Sequence, residues 1–242
     1  MRAILVRVGV DKEFGNWNAP VDPSTGEFIF VPIPDGDGKV YPTGHARGYE
    51  EIAGPLADFA LKHRARNLSL PHSLRLRKMH LDPDFDYLTY GDRGTHRGAN
   101  IATLGRGDML VFYAGLRSIE PPSPLVYALV GLFVIQEVVR AVDVPVGRIH
   151  ENAHTRWLPI SSQDVIVRGE PKVSGRFDRS IPIGEYRENA YRVRRDVEDA
   201  WGGLRVKNGY IQRSAVPPEL TNAREFELWL QKQGVALMQR NN

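Results

Sequence analysis

The residues best equipped for chemistry fall in one stretch, residues 80–117, HLDPDFDYLTYGDRGTHRGANIATLGRGDMLVFYAGLR. His80, Asp82 and Asp84 open it. Two carboxylates beside an imidazole can hold a divalent cation, or have their pKa values pushed apart so that one works as acid and the other as base. Pro83 stands between them; because proline fixes its own φ and drives its predecessor extended, both carboxylates are expected on a stiff, non-helical backbone. An Asp-Pro-Asp turn whose side chains cap local amides would look the same in sequence. Asp86 follows, then a Gly-rich basic segment with Arg93, His96, Arg97 and Asn100.

Three further groups carry usable chemistry. In HENAHTRW, residues 150–157, the residues Asn152, His154 and Arg156 alternate at period two, so an extended segment would send all three to one side. An amide, an imidazole and a guanidinium together make an anion- or base-recognition set, and His154 can move a proton near neutral pH. Arg7 and Asp11 fall at the end of the first predicted strand and in the loop after it, where positioned functional groups commonly lie. A local Arg–Asp pair on an exposed turn is the plainer alternative. Residues 62–79 interleave His63, Arg64, Arg66, His72, Arg75, Arg77 and Lys78 with leucines, a basic face that suits phosphates or simply water.

These side chains need a scaffold. Strands are predicted over 2–8, 28–33, 109–114, 126–139 and 164–168, with 109–114 and 126–139 as a hairpin bearing Tyr113 and Arg117 near its open end. Leu74 and Leu76 alternate with Arg75 and Arg77 as in a half-buried strand. Helices are predicted from about Pro55, over 191–200, and from about Asn222 or Ala223 to Gln233 with Phe226, Trp229 and Leu230 as its apolar stripe. The reading is an α+β protein, a curved, mostly antiparallel sheet or partial barrel with peripheral helices, in one domain spanning 1–242.

Bulk composition excludes several classes. There is no cysteine, hence no disulfide framework, thiolate metal site or cysteine nucleophile. The longest apolar run, residues 125–139, is broken by Gln136 and Glu137 and is shorter than the roughly 20 residues a membrane helix requires. No signal peptide is visible, and cytoplasmic residence is expected. The glycines of 91–107 match neither a P-loop nor a dinucleotide fingerprint. The cations comprise 25 Arg and 7 Lys. Arginine is the better bidentate partner of phosphates and base edges, although a GC-rich genome or a thermophilic source would give the same bias.

The order HLDPDFDY, an Arg-Gly segment, GDMLVFYAGLR, NAHTRW, SGRFDRSIPIG and GYIQRS, with the opening ILVRVGVD and the FVPIP segment, resembles the third nucleotide modification associated domain family of phage and bacterial base-modification systems. The resemblance covers most of the chain. It implies an α+β domain that processes or hypermodifies nucleotides, and places Arg7, Asp11, His80, Asp82, Asp84, Asp108, Tyr113, Arg117, Asn152, His154 and Arg176 at matched polar positions. Where family members carry a Gln-containing Gly-rich segment this chain reads GDRGTHRGAN, which leaves His96 and Arg97 without an implied role. Residues 105–142 are also similar to the strand pair of PUA-like barrels that read modified bases, so the partial barrel could be PUA-like.

Both resemblances imply a nucleotide or nucleic-acid partner, DNA rather than RNA, and the short apolar run leaves no membrane partner expected. In the enzyme reading, His80, Asp82, Asp84, Asp11 and His154 supply acid–base or cation chemistry, with the glycosidic bond as one target that two carboxyl groups suit. Arg7, Arg97, Tyr113, Arg117, Asn152, Arg156 and Arg176 bind substrate. One alternative is a non-catalytic reader of a flipped, modified base. Another is a metal-dependent phosphodiesterase on Asp11, His80, Asp82 and Asp84. The sequence identifies no cofactor.

Overall fold

Apolar runs such as AILV at 3–6 and MLVFYA at 109–114 suit strands covered on both faces. The computed structural model describes residues 1–95, 98–212 and 216–242. Its elements in chain order are β1 (Ala3–Arg7), β2 (Pro20–Val21), β3 (Ile33–Pro34), α1 (Glu50–Lys62), α2 (His72–Arg75), β4 (Met79–His80), β5 (Thr89–Arg93), α3 (Ala99–Ala102), β6 (Met109–Ser118), β7 (Leu125–Arg140), β8 (Asp164–Gly169), β9 (Gly175–Pro182), β10 (Gly184–Arg187), β11 (Ala190–Val193), α4 (Arg195–Ala200), α5 (Ala223–Gln233) and β12 (Leu237–Met238).

The main sheet is mixed and has eight strands, with the path β1-β6-β7-β8-β5 and with β2 beside β6, β9 beside β7 and β12 beside β9. β1 runs parallel to β6, Ala3 opposite Met109 and Arg7 opposite Tyr113, and the β6–β7 hairpin is antiparallel. β7 changes neighbours along its length: Ala128–Leu132 pairs with β9, and Ile135–Arg140 pairs with β8. Irregular register near Val130 and Gln136 lets one strand serve both, because a bulge bends the strand that carries it. The described strands curve without closing into a barrel.

Each face of the sheet is covered. Ile4, Val6, Leu110 and Phe112 pack with Phe85 and with Ile52, Leu56 and Phe59 of α1. Ala3, Leu5, Met109, Val111 and Tyr113 look the other way, onto Val197, Trp201 and Phe226 around α4 and α5. Among the described residues no helix is long and apolar enough to cross a membrane; the 125–139 run is strand β7.

Several sequence expectations are corrected. Helix α1 starts at Glu50 rather than near Pro55, with Glu50 and Glu51 in its first turn and Pro55 inside it. Ile52, Leu56 and Phe59 are the buried stripe, and their burial outweighs the one backbone bond a proline removes. Residues 74–77 are not a strand: α2 ends at Arg75, Leu74 is buried and Leu76 exposed, so the alternation marks a helical turn. Of residues 28–33 only Ile33 lies in a strand, with Phe28 in an isolated bridge to Val21. Residues 191–200 divide into β11 and α4. The last helix starts where expected: Asn222 Oδ1 accepts from the amides of Arg224 and Glu225, both at 3.2 Å, and Gly234 ends the helix in the left-handed region. Asn222→Ala therefore lowers stability by about 1 kcal/mol in urea unfolding; an unchanged midpoint would mean that the cap contributes nothing.

Candidate active site

A cavity of about 570 Å³ opens at the carboxyl end of β1 and is floored by His80, Asp82 and His154. His80 ends β4, which β3 holds in register through the Ile33–His80 pairing. Asp82 follows two residues later. Both of its oxygens lie on the Gly91 amide of β5, at 3.0 and 2.9 Å, and Asn152 Nδ2 approaches at 3.3 Å. His154 enters from the turn after β7. Asn152 Oδ1 accepts from its amide at 2.8 Å, which fixes where the imidazole starts.

Gly91 has a steric reason to be glycine. A Cβ there would stand 2.4 Å from His154 Cδ2 and 2.7 Å from Asn152 Oδ1, so any side chain would drive His154 from the floor.

Each imidazole is held from behind by a carboxylate. His80 Nδ1 lies 2.8 Å from Asp35 Oδ1, and His154 Nδ1 lies 2.6 Å from Asp164 Oδ2. Asp35 also accepts from Lys39 Nζ at 2.6 Å and from the Tyr41 hydroxyl. Anchoring at Nδ1 turns both Nε2 atoms toward Asp82 Oδ2, at 3.9 Å for His80 and 3.6 Å for His154. The rings meet at 69° with centroids 5.0 Å apart.

Burial and charge separate the protonation of these groups. Burial pushes the Asp82 carboxyl up to about 8, against the opposing pull of His154, the Gly91 amide and Asn152. Burial also lowers His80, and the neighbouring His154 charge adds to it, outweighing the bond to Asp35. For His154 burial works downward too, but the Asp164 hydrogen bond and the charges of Asp82 and Asp164 prevail and leave it raised. Perturbed groups converging in a cleft mark a site for proton or ion chemistry.

Arg7, Asp11 and Tyr113 line the same cavity. Asp11 Oδ2 pairs with Arg7 Nη2 at 2.7 Å while its Oδ1 takes the Glu13 and Phe14 amides, so Asp11 orients Arg7. Tyr113 donates to the Ile211 carbonyl at 2.9 Å, which leaves its ring as wall.

The remaining expected site residues stand elsewhere. Asp84 is fully buried, ion-paired to Arg156, and accepts from the Asp86 amide and Asn241 Nδ2 at 3.0 Å each. The extended geometry expected of 152–156 is a turn, closed by Thr155 and Arg156 amides on the Asn152 carbonyl, so His154 and Arg156 diverge. Arg117 donates to the Ser123 carbonyl at the hairpin end. Arg176 packs over Phe28 and donates to the carbonyls of Phe177 and Arg240, its buried guanidinium lowered to about 10. Arg97, with His96, lies outside the described residues. Asp35 and Asp164 were not anticipated. The usable signal was that an imidazole at work commonly gives its second nitrogen to a carboxylate, which makes any aspartate in the 32–48 loop or opening a strand worth testing.

A family model described as nucleotide modification associated domain 3 matches residues 2–213 of the chain. Comparison with the curated proteins and with the solved structures gave no match.

Proposed function

Because the chain belongs to the nucleotide modification associated domain 3 family, which ties it to nucleotide modification and to a nucleotide or nucleic-acid partner, we propose that it is an enzyme acting on a nucleotide or a modified base of DNA in the β1-end cavity. The observation that carries this reading is the convergence of His80, Asp82 and His154 on a floor that Arg7 overlooks. A base or sugar entering the cavity meets groups able to give and take protons, and Arg7 stands where a phosphate would benefit from a charge-assisted contact. Arg7 lines the cavity with its guanidinium held by Asp11, the Gln212 carbonyl and the Tyr127 hydroxyl, and Tyr113 and Tyr90 supply apolar wall beside it.

The experiment is to incubate the protein with free nucleotides and with duplex and single-stranded DNA carrying natural or hypermodified bases, and to read products by mass spectrometry. Turnover is expected, and His154→Ala should cut it by about 100- to 10,000-fold, the usual worth of a positioned proton-transfer group. Arg7→Ala should weaken nucleotide affinity by about 10- to 100-fold, the scale of a lost charged hydrogen bond. Binding without turnover would replace the enzyme by a reader of bases; neither binding nor turnover would remove the reading altogether.

A further inference from the structure

Taking this cavity as the working site, we propose that His80, Asp82 and His154 bind one divalent first-row transition-metal ion, with the ion's remaining coordination positions facing the cavity. The donors are two imidazole nitrogens and one carboxylate oxygen, and their ligand atoms all lie within 4.8 Å of one another. The Asp82 Oδ2 atom stands 3.6 Å from His154 Nε2 and 3.9 Å from His80 Nε2. An ion at about 2.0–2.2 Å from each donor would hold neighbouring donors about 3.0–3.4 Å apart, so each of the two gaps between Asp82 and a histidine has to close by less than an ångström.

Three independent features separate this trio from a chance cluster. Both histidines spend Nδ1 on a carboxylate, Asp35 or Asp164, and thereby turn Nε2 toward a common point, Asp82 Oδ2. That is the arrangement which orients and strengthens metal-binding imidazoles. Carboxyl groups also crowd the trio: among the described residues, Asp35, Asp92 and Asp164 gather around Asp82, while Lys39 contacts Asp35, Arg93 acts on Asp164 from farther away and Arg7 is paired with Asp11. Finally, only one face of the trio is closed. The Gly91 amide and Asn152 cover Asp82 from β5 and the 152–156 turn, and the opposite side is the cavity beneath Arg7. Two imidazoles and one carboxylate with open positions is a donor set that takes Fe(II), Mn(II), Co(II) or Zn(II) rather than Mg(II) or Ca(II), which prefer oxygen. A water or a substrate oxygen would occupy the open side. Asp35 and Asp164 are positioning residues that act through the two imidazoles.

The test is titration of the EDTA-stripped full chain with Co(II), followed by its visible absorption and by calorimetry, with Zn(II) as competitor. One equivalent is expected to bind with a ligand-field spectrum, and the unfolding midpoint should rise with Co(II) concentration. Asp82→Ala and His154→Ala should abolish the spectrum. Asp164→Asn should weaken Co(II) by about 10- to 100-fold and shift the spectrum, and Asp164→Glu should restore both. Thermal unfolding of each variant in EDTA reports whether it is folded. Absence of one-equivalent binding by the folded parent overturns the proposal, as does an affinity that Asp82→Ala and Asp164→Asn leave unchanged in folded protein. Nucleotide binding is measured separately, in EDTA and with Co(II). Metal binding without any nucleotide binding would refute the functional reading alone, and nucleotide turnover by the stripped protein that Co(II) neither binds nor alters would refute the metal centre alone.

Discussion

Asp84→Ala lowers the unfolding free energy by about 3–5 kcal/mol, the cost of leaving a buried ion-pair partner uncompensated. Asp84 is fully buried and Arg156 is only 2 % exposed. Nothing but protein surrounds the pair: the other Asp84 oxygen takes the Asp86 amide and Asn241 Nδ2 at 3.0 Å each, and Arg156 Nε donates to the His150 carbonyl at 2.7 Å. Alanine would strand the guanidinium and leave Asn241 Nδ2 without its acceptor, joining a charge penalty to the loss of one of the hydrogen bonds that tie Asn241 to the 84–86 segment. At roughly 2–4 °C per kcal/mol for a chain of this size, the midpoint falls by about 6–20 °C. Asp84→Leu with Arg156→Met, which removes both charges, recovers most of that loss. A single-variant loss under about 1 kcal/mol would mean that water or another carboxylate reaches Arg156.

Two residues earlier the removal of a carboxylate's charge acts in the opposite direction. Asp82→Asn, measured in EDTA, raises stability, and the gain grows with pH. The Asp82 carboxyl moves from an ordinary 3.8 to about 8 in the folded chain because burial opposes its charge. A group raised on folding contributes stability that is complete below its unfolded value and is lost as pH climbs through its folded value. The parent therefore loses about 1.4 kcal/mol per pH unit from this carboxyl between about 4 and about 8. Asparagine, uncharged throughout, does not, and still offers an oxygen to the Gly91 amide. The advantage reaches about 4 kcal/mol at neutral pH, or on the order of 10 °C. Calorimetric scans of both proteins at pH 5, 6, 7 and 8 check this; parallel curves would show that Asp82 titrates normally.

The contrast between these neighbours marks where sequence reading stops. Period and composition located β1, β6, β7 and α5, because long apolar runs and an Asn cap are local signals. They also put forward His80, Asp82, Asp84, Asp11 and His154 together, as imidazoles and carboxylates able to move protons or hold a cation. They did not separate Asp82 from Asp84. That division follows from the backbone pairing of Asp84 with Thr89, which turns one carboxylate toward the cavity and the next toward Arg156. Arg156 and Arg176 look in sequence like phosphate ligands, yet long-range partners, Asp84 for one and the Arg240 carbonyl for the other, claim them. Asp35 and Asp164 escaped because a supporting carboxylate has no spacing rule relative to the histidine it holds: one lies 45 residues away and the other 10.

The parallel pairing of β1 with β6 sets a timetable for synthesis. β1 ends at Arg7, whereas its partner on one side begins at Met109, and its other edge is covered by the segment around Pro218–Leu220 through the Leu5–Pro218 and Leu220–Ala3 backbone bonds. At about 5–20 residues per second, the nascent chain carries β1 for many seconds with neither edge satisfied. Since Pro217 and Pro218 line the cavity beside Leu5 and Arg7 of β1, its wall is incomplete until that segment has been made. Its maturation is tied to the arrival of residue 220, far downstream of every side chain on its floor.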